Sequence, residues 1–279
     1  MNSRLRALLR ALLWLIGLYV MLVICMTVFQ RQFAYAPAQE DPSPGTYGAA
    51  HMQEVTYTNA AGIELEGWYK APERKGAPVI VFFHGNAGHL GTRAYKSVPY
   101  TDAGYGFLFA GYRGYSGNSG KPTEQGLYQD ARAALDWVRE RHRENPLIYY
   151  GESLGTAVAV HTATQYKSPA AIILEAPFTN AVDVGRYRYF FLPVDWLLWD
   201  RYDSLAKILE LQSPLLVYHG TEDTIIPFEM GQALFVAAPE PKTLIRIEDA
   251  GHNDIFSANV AGKVIAFLKR HDLSPPPRN

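Results

Sequence analysis

Apolar runs recur along this chain at intervals that leave room for a helix between them. Residues 78–83, 106–110, 147–150 and 171–174 carry almost no polar side chain, a pattern that predicts strands covered on both faces. Residues 215–219 and 243–247 continue the series. Between these runs the period changes. Over 124–143, Leu127, Ala131, Ala134, Leu135 and Val138 fall on one helical face behind Thr123, a side chain suited to cap the first turn. Further helices are expected near 93–103, after Gly155, from Pro227 to about Ala238, and over 257–271. Upstream, 54–58 and 63–70 alternate apolar and polar residues around Asn59, Ala60, Ala61 and Gly62, which predicts an antiparallel hairpin. Together these elements predict an α/β domain over 51–272, with a mostly parallel, eight-stranded sheet flanked by helices.

One segment is too long and too apolar for that scheme. Residues 11–29 hold nineteen positions without a charge. At about 1.5 Å per residue they span the roughly 30 Å hydrocarbon core of a bilayer. An N-terminal membrane anchor over 1–30 is expected, followed by a linker over 31–50 that is rich in Pro, Ala and Gly from residue 36 onward. At the far end lies a short tail over 273–279. Arg4, Arg6 and Arg10 precede the apolar segment and predict a cytoplasmic N-terminus, with the folded domain on the other side. A second reading stays open, because Ala34, Tyr35 and Ala36 resemble a signal-peptidase site that would release the domain. The length of the apolar stretch, the intervening Arg31 and the Pro37 that would follow the cut favour retention.

Composition changes this picture little. A chain with 48% hydrophobic and 19% charged residues is globular, and a net charge of −1 gives no support for nucleic acid or another polyanion as partner. The single cysteine, Cys25, lies in the apolar segment, which leaves the domain with neither disulfide nor thiol nucleophile. No Asn-x-Ser/Thr acceptor occurs, which favours a bacterial setting: an inner-membrane anchor with a periplasmic domain.

The chemistry gathers at strand ends. Gly151-Glu152-Ser153-Leu154-Gly155 follows the run 147–150 and precedes a stretch of small residues. This is a G-x-S-x-G elbow, in which the serine stands exposed on a sharp strand-to-helix turn and glycine lets neighbouring backbone come close. Asp223 lies just past the run 215–219 and His252 just past 243–247. A serine hydroxyl needs a base to take its proton; an imidazole titrates near working pH, and a carboxylate fixes its tautomer. Glu222 and Glu175 compete with Asp223 for the carboxylate role, and His84, His89, His161 and His219 compete with His252. Ser153, Asp223 and His252 run in the order Ser, Asp, His, each on a loop after an apolar run. Upstream, His84-Gly85-Asn86-Ala87-Gly88 ends the run 78–83, so the backbone N–H groups of Asn86 and Leu154 are the candidate oxyanion donors.

These segments, with Tyr112-Arg113-Gly114-Tyr115-Ser116-Gly117-Asn118-Ser119-Gly120, His219-Gly220-Thr221-Glu222-Asp223 and Gly251-His252-Asn253-Asp254, resemble the α/β-hydrolases of serine-hydrolase type over roughly residues 50–272. They are similar in particular to the membrane-anchored abhydrolase-domain branch, which holds eukaryotic protein depalmitoylases, lysophospholipase-like enzymes and bacterial relatives. The family pattern His-Gly-x-x-Asp, which His219 to Asp223 resembles, points to Asp223. The resemblance implies an α/β-hydrolase fold and hydrolysis of an ester or thioester in a small-molecule or lipid-like acyl substrate, with no metal or organic cofactor. It also implies a helical cap inserted over about 178–212. There Tyr187, Phe190, Phe191 and Trp196 are candidates for an acyl-binding wall, or they only pack the cap onto the domain. Arg113 either fixes its glycine-rich loop or reaches a substrate anion. Acyl transfer to an alcohol, peptidase-like hydrolysis and an inert tethered scaffold are the other functions open to the same residues.

Overall fold

The apolar runs become one eight-stranded sheet in a computed structural model that describes residues 3–277. Strands β1 (Gln53–Thr58) and β2 (Glu64–Lys70) form the antiparallel hairpin. β3 (Val79–Phe83), β4 (Gly106–Ala110), β5 (Leu147–Glu152), β6 (Ala171–Glu175), β7 (Leu215–Gly220) and β8 (Lys242–Ile247) follow. Their spatial order is β1-β2-β4-β3-β5-β6-β7-β8; β1 with β2 and β2 with β4 pair antiparallel, and the other pairs are parallel. The winding reverses between β3 and β5, and a crevice forms beyond the carboxyl ends of strands at such a switch point. The loops leaving β3 and β5 therefore border one space.

The principal helices are α1 (Ser3–Val28), α2 (Gln30–Ala34), α3 (Glu124–Arg141), α4 (Leu154–Gln165), α5 (Ala181–Arg188), α6 (Phe228–Ala237) and α7 (Ala258–Arg270). Alternation along the buried strands divides the core into two layers. In β5, Leu147 and Tyr149 pack toward α3 and α4, while Ile148 and Tyr150 pack toward α7. Thr123 accepts a hydrogen bond from the N–H of Gly126, so the expected cap of α3 forms. The helix expected near 93–103 is instead a 3-10 stretch, Leu90–Lys96, followed by a short helix, Val98–Asp102. Pro99 lies in the first turn of the second piece and has no N–H to extend an α-helical ladder from the first.

Between β6 and β7 the inserted cap holds α5, a turn at Val194–Leu197 and a short helix at Ser204–Ile208. α1 is 26 residues long with a mean hydropathy of 2.5 in its most apolar window, the one helix among the described residues long and apolar enough to cross a membrane. The stretch expected as linker carries structure of its own: α2, then Ala36–Pro37 paired in parallel with Ala87–Gly88. Arg278 and Asn279 of the tail lie outside the described residues.

A buried charge cluster supports the carboxyl end of β5. Lys96 Nζ donates to Glu152 Oε2 at 2.6 Å and to Glu175 Oε1 at 2.7 Å, and Arg93 Nε donates to Glu152 Oε1 at 2.8 Å. The Tyr150 hydroxyl donates to Glu175 Oε2 at 2.9 Å. Burial alone would raise the Glu152 carboxyl, but the charges of Lys96 and Arg93 and their hydrogen bonds outweigh it and hold that group at about 2. Such a depressed group stabilises the fold above its unfolded value of roughly 4.3, and that contribution is lost as pH falls toward about 2. Lys96→Met removes one partner from a buried cluster and is expected to cost about 3–5 kcal/mol near neutral pH. In denaturant titrations the gap between wild type and Lys96→Met should narrow as the pH falls from about 5 to about 3; a gap independent of pH would contradict this.

Candidate active site

Ser153 occupies left-handed backbone, with φ 51° and ψ −116°. A non-glycine residue there stores about 1–3 kcal/mol of strain and persists only where its surroundings over-determine it. Two contacts do so. The Ser153 N–H donates to the Glu175 carbonyl at 2.8 Å, tying the elbow to β6. On the helix side, a Cβ at Gly155 would lie 1.9 Å from the Phe83 carbonyl oxygen, so only glycine lets α4 begin this close to β3. The turn thus delivers the serine side chain into the crevice. Leu154, the first residue of α4, offers one of the helix N–H groups that have no intrahelical acceptor.

Two other strand ends complete the arrangement. Ser153 Oγ lies 3.0 Å from His252 Nε2, and His252 Nδ1 lies 2.6 Å from Asp223 Oδ2. An ionised carboxylate only accepts, so Nδ1–H donates to Asp223 and Nε2 is left to accept from the serine hydroxyl. Asp223 Oδ1 accepts from the N–H groups of Ile225 and Ile226, each at 2.8 Å, and Oδ2 accepts from His219 Nε2–H at 3.1 Å. Burial alone would raise this carboxyl. The hydrogen bonds from His219 and His252 outweigh it and hold Asp223 well below the usual carboxylate range.

The competing residues have other work. Glu222 is exposed, and Glu175 belongs to the Lys96 cluster. His84 is fully buried between Tyr112 and Tyr115 and donates Nδ1–H to the Gly85 carbonyl at 2.8 Å; burial pushes it down to about 3. His161 stacks on Tyr128 and is pushed down to about 4 by burial. His219 serves Asp223, and His89 packs edge-on against Tyr47. Arg113 folds onto Asp130, with Nη2 donating at 2.7 Å, and so fixes its own loop.

Asn86 lies just past β3. Its side chain accepts from the Tyr115 hydroxyl at 2.9 Å and donates to the Ala34 carbonyl at 2.7 Å. Asn86, Ser153 and Leu154 border a cavity of about 320 Å³ whose walls include Phe178, Leu192 and Leu198. From α5 it receives Ala181, Val184, Gly185 and Arg188, spaced as one helical stripe. The rings expected to line it do not. Tyr187 lies off that stripe and is half-exposed, as is Phe191, while Phe190 and Trp196 are 86% and 89% exposed. The cap turns its small and aliphatic residues inward and leaves these rings outside; Tyr189 and Tyr202 are the cap tyrosines that reach the cavity.

Residues outside the expected set also border this space, among them Met26, Gln30 and Arg31 from α1 and α2 and Asp200 from the cap. The sequence signal for them was Thr27 and Gln30, polar residues at the end of an otherwise apolar run. A second cavity, of about 230 Å³, lies on the imidazole side and is lined by Arg93, Lys96, Glu152, Glu175, His252 and Asn253. The serine thus opens onto an apolar space and the imidazole borders a charged one. Among the described residues no group of three or more His, Cys, Asp or Glu side chains is placed to hold a metal ion.

Comparison with known proteins gives this geometry a context. A family profile described as serine aminopeptidase, S33 (Hydrolase_4), matches residues 74–199, a span that includes the elbow. Uncharacterized protein Rv2307c of Mycobacterium tuberculosis is 38% identical over 81% of this chain and 81% of its own. Lysophosphatidylserine lipase ABHD12 of Danio rerio is 30% identical over 84% of this chain and 74% of that protein. Among solved structures, the esterase Pf2001 of Pyrococcus furiosus shares the fold, with a TM-score of 0.68 at 19% identity over 85% of this chain and 98% of that one. The chain belongs to the α/β-hydrolase family of serine hydrolases, in the branch of the abhydrolase-domain proteins.

Proposed function

We propose that this enzyme is a membrane-anchored hydrolase that cleaves carboxylic ester or thioester bonds in lipid-like acyl substrates. The observation that carries the reading is the unbroken line of hydrogen bonds from Asp223 through His252 to Ser153 at the edge of an apolar cavity. In the proposed reaction Ser153 Oγ attacks the acyl carbonyl while His252 Nε2 takes its proton, and the N–H groups of Leu154 and Asn86 hold the oxyanion. Collapse of the tetrahedral intermediate breaks the bond to the leaving alcohol or thiol, which receives the proton from His252. Water then gives a proton to the same imidazole and attacks the acyl-serine; the acyl–Oγ bond breaks to release the acid, and His252 returns the proton to Ser153 Oγ. Asp223 stays ionised throughout, because its backbone and imidazole hydrogen bonds oppose protonation.

The two cavities suit the two halves of such a substrate. An acyl chain fits the apolar space beside Ser153. The leaving group must face His252 to be protonated, and the space there is lined by charged side chains that suit a polar headgroup. The Danio rerio relative is a lysophosphatidylserine lipase, and lysophosphatidylserine is a substrate of this kind, with one acyl chain on a charged headgroup. Within the same reading, residues 1–30 are the anchor of an inner-membrane protein, the hydrolase domain over 51–272 is periplasmic, and the exposed Phe33, Phe190, Trp196 and Trp199 sit at the bilayer interface.

Ser153→Ala should abolish hydrolysis of p-nitrophenyl acyl esters, and Asp223→Asn should lower kcat by about 10⁴ with little change in KM, because it leaves the imidazole in the wrong tautomer. Free acid should be the main product even with a competing alcohol present; a predominant transfer product would replace hydrolysis with acyl transfer. In alkaline carbonate washes the chain should stay with the membranes and leave only with detergent. A washed-out chain beginning at Pro37 would contradict the anchor.

A further inference from the structure

The last turns of α1 are one-sided. Val23, Met26 and Thr27 of α1 and Gln30 at the start of α2, at a spacing of one helical stripe, lose exposure, while most other large apolar residues of α1 stay exposed. Val23 and Met26 pack against a cap cluster of Val182, Leu192 and Val194, as Leu198 does from within the cap. Directed hydrogen bonds hold this contact. The Tyr19 hydroxyl donates to the Phe191 carbonyl at 2.8 Å. Gln30 Nε2 donates to the Leu197 carbonyl at 3.0 Å while its Oε1 accepts from the Trp199 N–H at 2.8 Å. Arg31 grips Asp200 with two bonds, at 2.9 and 3.1 Å, and the Tyr35 hydroxyl donates to the same carboxylate at 3.1 Å. A passive tether requires none of these.

The docked segment reaches the reacting atoms from two directions. Met26, Thr27 and Phe33 border the same cavity as Ser153 and Leu154, and Met26 and Thr27 belong to the uncharged run 11–29. Immediately downstream, the Ala34 carbonyl accepts from Asn86 Nδ2, Ala36 and Pro37 pair with Ala87 and Gly88, and the Ala38 N–H donates to the Gly88 carbonyl at 3.1 Å. The loop that presents the Asn86 N–H is thus held as a parallel strand pair by the chain leaving the membrane helix.

We propose that residues 26–38, the exit of the membrane helix, are part of the active site: they supply one wall of the acyl cavity and position the oxyanion loop, so that a bound acyl chain lies against α1. This rests on the acyl-hydrolase reading above and deepens it, by making chain-length selection a property of the anchor. It also gives a physical reason for retaining the anchor, since a cut between Ala36 and Pro37 would remove a wall of the cavity and divide the strand pair.

Met26 offers a test in the full-length protein in lipid nanodiscs, with p-nitrophenyl esters of graded saturated chains and a fluorophosphonate probe to count folded sites. Met26→Trp fills the cavity from the anchor side and should lower the ratio of long-chain to short-chain kcat/KM by about tenfold. Met26→Ala enlarges the same wall and should move the preferred chain length upward. A helix that only stabilises the fold would not shift chain preference in opposite directions. Unshifted or same-direction profiles, in protein that labels like wild type, overturn the proposal. If Met26→Trp does not label, the shift in Met26→Ala decides alone. Wild-type protein inert on every ester would overturn the hydrolase reading and this one together, whereas an active wild type with unshifted variants overturns only this one.

Discussion

The start of α4 lies against the end of β3 more closely than any side chain at position 155 would permit, and this contact holds Ser153 in left-handed backbone. Much of the site follows from it. The strained turn aims Oγ out of the sheet, places the first N–H of α4 beside it, and lets the Ser153 N–H reach the Glu175 carbonyl on β6. The strain is held by packing rather than by the serine itself, since apolar strands on both sides of β5 leave the elbow no room to relax.

Charge is then arranged in two separate places around that elbow. On one side Lys96 and Arg93 neutralise Glu152 and Glu175 beneath the turn, where any unpaired carboxylate would oppose the fold. On the other, Asp223 accepts from two backbone N–H groups and two imidazoles, which fixes the His252 tautomer without placing a further carboxylate at the serine. The apolar cavity lies between this polar machinery and the docked end of α1. Burial, charge pairing and the docked N-terminal helix therefore meet within a few side chains of one hydroxyl.

Much of this was legible in the sequence, and the reasons differ from part to part. The strands were plain because a parallel sheet covered on both faces demands continuous apolar runs, and the loops bearing Ser153, Asp223 and His252 follow those runs directly. Local chemistry announced the cap of α3 through Thr123 in the same way. The lining of the cavity beside Ser153 was not legible. Which face of α5 turns inward depends on what the rest of the cap packs against, so ring content pointed to Tyr187, Phe190, Phe191 and Trp196 while the cavity took Ala181, Val184 and Gly185. The docking of this N-terminal segment showed only as Thr27 and Gln30 at the end of its apolar run. Its partners, such as Asp200 for Arg31, lie some 170 residues away in sequence, with a separation of 169 for that pair, and no local pattern joins them. The Lys96 cluster was missed for the same reason.

If Ser153 is the nucleophile of an acyl-hydrolysing site, a mechanism-based covalent adduct should map to it. Full-length protein in detergent is treated with a long-chain alkyl fluorophosphonate, digested, and analysed by tandem mass spectrometry. One phosphonyl group per chain is expected, on the Ser153 hydroxyl, with labelling slowed by a non-cleavable lipid analogue of matching chain length. A stable adduct on another residue, or a chain that stays unmodified while another hydrolase in the same tube is labelled, would contradict it.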